Sequence, residues 1–220
     1  MVLHYFIGKD DKMNSLENDF SQIIEFLSLN PHMLSGRVDP LELSERQGVK
    51  TLFSIYERAV HSKLELAPPK TIPDEAVSVI IKSTLDCSEE KTNSIKVEHQ
   101  LSMAAENMVG ALLERYLFSV LKNHGWVWCA GDFVRAIDFI KRNPDGTWIA
   151  LQVKNRDNSE NSSSSAIRNN TDIIKWFRTY SKPSKRRESN TNWDAFPDVY
   201  CRNYLSEDGF MAFINDYLSH

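Results

Sequence analysis

Residues 134–170 read VRAIDFIKRNPDGTWIALQVKNRDNSENSSSSAIRNN, and the first half of this stretch predicts a β-hairpin. Two apolar segments, residues 133–140 and 147–153, flank an Asn-Pro-Asp-Gly sequence at residues 143–146. Proline fixes φ and glycine tolerates positive φ, so both residues favour a tight turn between two strands.

Three polar side chains are expected to meet at the open end of this hairpin. A turn centred near Asp145 places Asp138 opposite Gln152. Because alternate residues of a strand share a face, Gln152 and Lys154 lie on one face and the branched apolar residues lie on the other. Directly opposed residues have Cβ atoms roughly 5 Å apart. A carboxylate, an amide and an ammonium group therefore converge.

This grouping suits the hydrolysis of a phosphodiester. Asp138 offers an oxygen ligand for Mg²⁺, which binds few carboxylates together with waters and substrate phosphate. The amide oxygen of Gln152 and the backbone carbonyl of Val153 complete the candidate metal site. Lys154 can orient an attacking water or stabilise charge that develops on the phosphoryl group.

Composition indicates an ordinary soluble globular protein. The chain has 220 residues, of which 41% are hydrophobic and 25% are charged. No apolar run approaches the roughly 18 residues of a transmembrane helix, and the first residues lack the features of a signal peptide. Cys87, Cys129 and Cys201 have no metal-ligand spacing, so they favour a reducing cytoplasm over a disulfide framework or a zinc site.

The charge is unevenly distributed along the chain. Residues 1–100 carry 11 Lys/Arg and 16 Asp/Glu, whereas residues 141–202 carry 12 Lys/Arg and 7 Asp/Glu. A basic segment within a protein of net charge −4 suggests a localised surface for a polyanion. Basic loops that are only solvated, with no binding role, would give the same numbers of charged residues.

The first hundred residues are predicted to be helical. Apolar spacing predicts a helix over Ser15–Leu29, and a second helix is expected to begin with Asp39 as N-cap and to end near Lys63. A third helix is expected after Pro73. Dimerisation and DNA binding are both consistent with this region, and its helical pattern does not distinguish between the two roles.

A long helix is predicted over residues 99–123, after a polar connector at residues 86–97. Glu106 and Glu114 fall within about 80° of each other on this helix at 100° per residue. Two roles are open for each glutamate: it lies on a solvated face of the helix, or its carboxylate reaches the metal site. We rank Glu106 slightly above Glu114 as the residue that reaches the metal site, because the small neighbours of Glu106 let the helix approach another surface closely.

The composition changes abruptly after Lys154. Asparagines, arginines and four consecutive serines follow, and such side chains bond phosphate oxygens and base edges. Low-complexity disorder is the alternative. Downstream, the sequence predicts a short helix capped by Thr171 and containing Ile173, Ile174, Trp176 and Phe177, a basic loop at residues 182–187, a strand over residues 199–205 and a last helix capped by Ser206.

The strand pair resembles the PD-(D/E)XK nuclease motif. Ile137 and Asp138 occupy its first position, and Gln152, Val153 and Lys154 occupy its second. Gln152 stands where that superfamily usually has an acid, so a carboxylate from elsewhere is expected to compensate. The candidates for that carboxylate are Glu106, Glu114 and Asp157.

A longer resemblance covers roughly residues 100–200. The runs GWVWCAGDFVRAIDFI, LQVKNRDNSENSSSSAIRN, IIKWFRTYS and TNWDAFP are similar to the SinI-type family of type II restriction endonucleases. The resemblance implies a bacterial enzyme that uses Mg²⁺ to cut double-stranded DNA at a short, GG/CC-containing, GGWCC-like palindrome. It also implies a homodimer and a cognate DNA methyltransferase that acts on the same site without obligatory physical contact.

The same resemblance implies roles for individual residues. Asp138, Gln152 and Lys154 would be catalytic, assisted by Glu106 or Glu114, and Arg156 and Arg168 would read guanine. The residues expected to line the DNA are Asn155, Arg156, Asn158, Ser162, Ser163, Ser164, Ser165, Arg168, Asn169, Asn170, Lys182, Lys185, Arg186 and Arg187.

The predicted fold is α/β (α+β), a restriction-endonuclease-like core with a central mixed β-sheet flanked by helices. A helical region at residues 1–97 would precede a nuclease core at residues 98–220, with recognition segments at residues 155–197, or the whole would form one compact domain. The alternatives are a catalytically inactive DNA-binding module, a non-sequence-specific repair nuclease and a structural protein.

Overall fold

A computed structural model describes residues 15–68, 70, 72, 74–158 and 172–219 of the chain. Within them four strands form one sheet, in the order β1 (Trp126–Trp128), β2 (Phe139–Arg142), β3 (Trp148–Arg156) and β4 (Ile174–Thr179). The first three strands pair antiparallel, and β4 pairs parallel to β3. The predicted mixed sheet flanked by helices is therefore confirmed.

The hairpin between β2 and β3 has the predicted register. Phe139 pairs with Leu151, and the N–H of Asp138 donates to the carbonyl of Leu151 at 2.9 Å, which places Asp138 opposite Gln152. Gly146 closes the turn with φ of +86°. The first arm is shorter than predicted. It begins at Phe139 because Ala136, at φ +60°, breaks the extended backbone before it.

The predicted short helix around Ile173 is wrong, because this segment forms the strand β4. Val153 of β3 pairs with Trp176, which is buried together with Arg178. The segment is rich in branched and aromatic residues, which favour a pleated surface, and pairing with β3 overrides its helical spacing. Thr171, the predicted cap, lies outside the described residues.

The N-terminal helices are α1 (Ser15–Leu29), as predicted, and α2 (Arg46–His61). Short 3₁₀ turns lie between them at Pro31–Met33 and Pro40–Leu43. Asp39 caps the second turn and not an α-helix, so the predicted start of the second helix is wrong. A Cβ on Gly48 would lie 2.4 Å from the Cα of Glu42, so the turn folds back against α2.

Two further helices are α3 (Glu75–Leu85) and α4 (Glu89–Leu121). The predicted connector at residues 86–97 is wrong for most of its length, since α4 begins ten residues earlier than expected. The hydroxyl of Ser88 accepts the N–H of Lys91 and so caps this start. A 3₁₀ turn at Lys122–His124 ends at Gly125, with φ of +78°, where the sequence predicted the stop.

The C-terminal segment contains a 3₁₀ turn at Trp193–Ala195, a short helix α5 (Val199–Arg202) and the last helix α6 (Glu207–Ser219). The predicted strand at residues 199–205 is wrong. Asp198 accepts the N–H of Tyr200 at 3.0 Å and starts a helical turn instead. Ser206 caps α6 as predicted, through the N–H of Gly209 at 3.0 Å.

The chain divides into two compact units. The sheet unit contains the described residues of 15–62 and 113–219, and the helical unit contains those of 63–112. Residues 15–62 belong to the same unit as the sheet, and the predicted boundary after residue 97 stays a prediction. Among the described residues, no helix is long and apolar enough to cross a membrane.

Candidate active site

Asp138 is held by main-chain hydrogen bonds at the end of the sheet's first hairpin. Its carbonyl accepts the N–H of Cys129 at 2.8 Å, which ties it to the segment that follows β1. Its side-chain Oδ2 accepts the N–H of Val153 at 2.6 Å, which ties it to β3. The first bond therefore fixes the backbone of Asp138, and the second orients its carboxylate.

Glu114 of α4 lies near Asp138. The indole N–H of Trp128 donates to Glu114 Oε2 at 3.0 Å, and the ring of Trp128 also packs under the guanidinium of Arg115 at 5.3 Å. Both carboxylates line one cleft of about 400 Å³, whose wall also includes Cys129. Trp128 thus orients Glu114 toward the cleft that Asp138 shares.

The two carboxylates influence each other's protonation. Desolvation raises the pKa of Asp138, while the Val153 N–H and the charge of Lys154 oppose that rise. Desolvation also raises the pKa of Glu114, and the charge of Asp138 raises it further. Two half-buried carboxylates in one cleft repel each other when both are ionised, and a cation bound between them would relieve that repulsion.

Lys154 follows Val153 on β3 and is half-buried. Its charge lowers the pKa of both Asp138 and Glu114, so its ammonium group lies within electrostatic reach of the pair. Gln152 shares the Lys154 face of the strand and is buried, with 2% of its surface exposed. The structure therefore brings together Asp138, Glu114, Lys154 and Gln152.

The other candidates for the compensating acid are not among the residues that line this cleft. Glu106 is an exposed residue of the helical unit, whereas Glu114 and Asp138 both belong to the sheet unit. Asp157 follows β3, and hydrogen bonds from the Ser181 side chain and from its N–H, the latter to Oδ1 at 2.8 Å, lower its pKa. Glu114 is thus the acid that shares a cleft with Asp138.

The predicted DNA-contacting residues have different surroundings. The side chain of Asn155 accepts a bond from Arg178 Nε at 3.0 Å, which gives Asn155 a structural contact within the sheet. Arg156 and Asn158 are exposed at the end of β3. Residues 162–165, Arg168, Asn169 and Asn170 lie outside the described residues.

The basic loop after β4 is exposed at Lys182, Lys185 and Arg186. Arg187 differs, because its guanidinium lies 3.8 Å from the ring centre of Tyr180 and donates to the carbonyl of Lys182. The loop therefore contains three exposed cations and one that is stacked on an aromatic ring.

Sequence reasoning missed two residues at this site. Trp128 orients Glu114, but its place in an apolar strand gave no sign of that role. Lys175 pairs with Gln152 in the register of β3 and β4, and its pKa is lowered by desolvation and by the charge of Lys154. A prediction of β4 as a strand would have placed Lys175 on the Lys154 face.

A metal ion at this site would have few acidic ligands. In the described part of the chain, no group of three or more His, Cys, Asp or Glu side chains is arranged to hold one. The candidate donors are the carboxylates of Asp138 and Glu114, the amide oxygen of Gln152 and the backbone carbonyl of Val153. A hard cation that keeps several waters fits such a set.

Comparisons with known proteins identify the family of this chain. A family model described as SinI restriction endonuclease matches residues 6–220. The chain belongs to this family. The type II restriction enzyme Eco47I of Escherichia coli is 45% identical over 215 residues, covering 96% of this chain and 91% of that enzyme.

A second relative supports the same family assignment. The type II restriction enzyme SinI of Salmonella infantis is 44% identical over 214 residues, covering 96% of this chain and 91% of its own length. The predicted enzyme class, a type II restriction endonuclease that acts on double-stranded DNA and generally uses a divalent metal, is confirmed.

Proposed function

We propose that this enzyme cuts both strands of DNA at a short, GG/CC-containing, GGWCC-like palindrome with Mg²⁺ as cofactor. The observation that supports this most directly is the cleft shared by Asp138 and Glu114, with Lys154 beside it. These groups are the parts that phosphodiester hydrolysis needs: ligands for a hard cation and a positive group near the reacting phosphate.

Asp138 and Glu114 would hold the metal ion, with the amide of Gln152 or the carbonyl of Val153 as a further oxygen ligand. The raised pKa values support this assignment: desolvation raises the pKa of both carboxylates and the charge of Asp138 raises that of Glu114 further, and a bound cation would offset both effects. Bound Mg²⁺ supplies charge that offsets the negative charge on the scissile phosphate.

Lys154 is assigned to the scissile phosphate or to the water that attacks it. Its position directly after Val153, whose N–H holds Asp138, keeps it in fixed register with the metal ligand. An ammonium group here favours the more negative phosphoryl group of the transition state, and it can orient the water by hydrogen bonding.

Gln152 is assigned to a neutral role beside the acids. A third carboxylate at this buried position would add to the repulsion between Asp138 and Glu114. The amide of Gln152 supplies an oxygen ligand without adding a negative charge. Glu114 thereby takes the place of the acid that the usual motif has at the Gln152 position.

DNA recognition is assigned to the end of β3, to the following segment and to the basic loop. Arg156 and Arg168 would pair with guanine, and Lys182, Lys185 and Arg186 would contact phosphates, whose contribution falls with salt. We further propose that the enzyme works as a homodimer in the bacterial cytoplasm, where a methyltransferase protects host sites.

Digestion of an unmodified phage genome with Mg²⁺, followed by sequencing of the product ends, tests this function. Discrete fragments whose ends all map to one GGWCC-like site are expected. Intact DNA would favour the inactive module suggested by Gln152, and a smear would favour a non-specific nuclease. Discrete cuts at an unrelated sequence would overturn the proposed site alone.

A further inference from the structure

One wall of the active-site cleft comes from the N-terminal part of the chain. Leu34 and Val134 form an antiparallel bridge between that part and the segment that leads to Asp138. The N–H of Ser35 donates to the carbonyl of Phe133 at 2.8 Å, and a second main-chain bond of 2.7 Å lies on the other side of the bridge. Residues 35–37 therefore have a fixed position beside the segment that carries the catalytic acid.

Arg37 is a cation in a cleft that is otherwise acidic. In the described part of the chain, the charged residues that line this cleft are Arg37, Glu114, Asp132 and Asp138. Three carboxylates would repel the phosphates of an approaching DNA backbone. A bound metal ion would offset the charge of Glu114 and Asp138. The charge of Asp132 is offset by Arg37, which lies 3.6 Å from it.

The ion pair between Arg37 and Asp132 can be exchanged at little cost. Its side chains are 82% and 90% exposed, and ion pairs that are so accessible to water contribute little to stability. A guanidinium group forms two parallel hydrogen bonds with a phosphate, and such charge-assisted bonds are stronger than neutral ones. A phosphate that enters the cleft can therefore replace Asp132 as the partner of Arg37.

We propose that Arg37 binds a DNA phosphate that neighbours the scissile one, and that it exchanges Asp132 for this phosphate when DNA enters the cleft. The proposal rests on the proposed function, since it requires DNA beside Asp138. Arg37 lines the same cleft of about 400 Å³ as Asp138 and Glu114, so the phosphate that it binds lies close to the one that is cut. The contact adds residues 35–37 to the DNA-binding surface.

Affinity and rate should respond differently to the loss of Arg37, because its contact is with the bound backbone and not with the reacting atoms. With a GGWCC-containing duplex in Ca²⁺, Arg37→Ala should weaken binding about ten-fold and reduce the slope of log K against log salt by about 1. Its single-turnover cleavage rate at saturating enzyme in Mg²⁺ should stay within a few-fold of wild type. Unchanged affinity with a lower saturating rate would overturn the proposal.

Two further variants show whether the arginine charge itself is responsible. Arg37→Lys keeps the charge and should recover part of the affinity, although a lysine cannot form the two parallel bonds. Arg142→Ala is the matched control, because Arg142 is an exposed arginine that pairs with Glu25 at the other end of β2. This control should bind DNA as the wild type does. An equal loss of affinity in Arg142→Ala would overturn the assignment to Arg37.

Asp132→Asn tests the exchange of partners. The variant removes the carboxylate that competes with phosphate for Arg37, so it should bind the duplex about two- to five-fold more tightly. Binding that is unchanged or weaker would overturn the exchange. The melting temperature of Arg37→Ala should match that of the wild type, because an exposed pair adds little stability. A lower melting temperature with unchanged affinity would indicate a structural role instead.

A scan with neutral methylphosphonates locates the contact on the DNA. In the wild type, substitution at one position beside the cut should weaken binding about as much as Arg37→Ala does. In Arg37→Ala the same substitution should have no further effect, because the two changes remove one interaction. Arg142→Ala should keep the full effect. A scan in which wild type and Arg37→Ala respond equally at every position would overturn the contact.

The outcomes separate this contact from the proposed function. A wild-type protein that binds the duplex and leaves it intact would overturn the proposed hydrolysis, and a loss of binding in Arg37→Ala would still support the contact. Cleavage by Arg37→Ala at wild-type affinity and rate would overturn the contact and leave the proposed function standing. A wild-type protein that binds no DNA would overturn both.

Discussion

Asp138 Oδ2 lies 2.6 Å from the backbone nitrogen of Val153, so a carboxylate at the start of β2 accepts a main-chain N–H of β3. The next residue of β3 is Lys154. One hydrogen bond therefore fixes the acid of the site relative to its ammonium group. Because Lys154 lies within β3 and Asp138 is hydrogen-bonded to that strand, their relative geometry is set before substrate binds.

The first prediction separates Glu106 and Glu114, the two glutamates of α4 that are candidates for the compensating acid. We expect Glu114→Gln to lower the single-turnover cleavage rate at least about 100-fold, because it removes a charge from the cleft that Asp138 lines. Glu106→Gln is the matched control from the same helix and should stay within a few-fold of wild type. A larger loss in Glu106→Gln would reverse the assignment.

Lys154→Ala should lower the cleavage rate at least about 100-fold while DNA affinity changes little. The lysine acts on the reacting phosphate, whereas most binding comes from other phosphate contacts. Its removal should also move the rising limb of the pH–rate profile upward, because Lys154 lowers the pKa of both acids. Rates across pH and binding in Ca²⁺ would measure both effects. An unshifted profile with full activity would exclude Lys154 from the site.

The stability of the folded protein should depend on pH and on Mg²⁺ through the carboxylates of Asp138 and Glu114. Desolvation raises the pKa of Asp138 to about 6, and desolvation with the charge of Asp138 raises that of Glu114 to about 7. The folded protein thus binds these protons more tightly than the unfolded chain. Their contribution to stability is full below about pH 4 and is lost as pH rises through about 6 to 7.

Without metal, the melting temperature should accordingly fall between pH 5.5 and pH 8. Mg²⁺ should recover much of the loss at pH 8, because ligand that binds only the folded state stabilises it. Thermal unfolding of wild type and Glu114→Gln, with and without MgCl₂, measures this. The variant should show a smaller pH slope and a smaller Mg²⁺ gain. Equal responses in the two proteins would place the metal elsewhere.

The basic loop should contribute to affinity and not to sequence preference. Lys185 is exposed, so Lys185→Ala should weaken binding to all duplexes alike and reduce the slope of log K against log salt by about 1. Lys50→Ala, an exposed lysine of α2, is the control and should have no effect. A changed preference between sites in Lys185→Ala would instead indicate base contact.

Much of the fold followed from local patterns. The turn at residues 143–146 and the period-2 alternation of β3 were sufficient for the register that sets Asp138 opposite Gln152. Pro73 marked the approach to α3, and the capping residue Ser206 identified the start of α6. These features depend on near neighbours in sequence, which is why they could be predicted.

The errors arose where distant contacts override local preference. The segment of β4 has helical spacing in isolation, and its pairing with β3 decides the outcome. The ranking of Glu106 above Glu114 relied on small neighbours and stays a prediction. The position of Glu114 beside Asp138 depends on Trp128 of β1. A contact between a helix and a strand leaves no periodic trace in the sequence.

The most direct test of the active site is Asp138→Asn, assayed for cleavage and for binding on one duplex that contains the mapped site. The change keeps the size of the side chain and an oxygen for the Val153 N–H. We expect specific binding to persist and Mg²⁺-dependent cleavage to fall at least about 100-fold. Cleavage at the wild-type rate would contradict the assignment of this cleft as the active site.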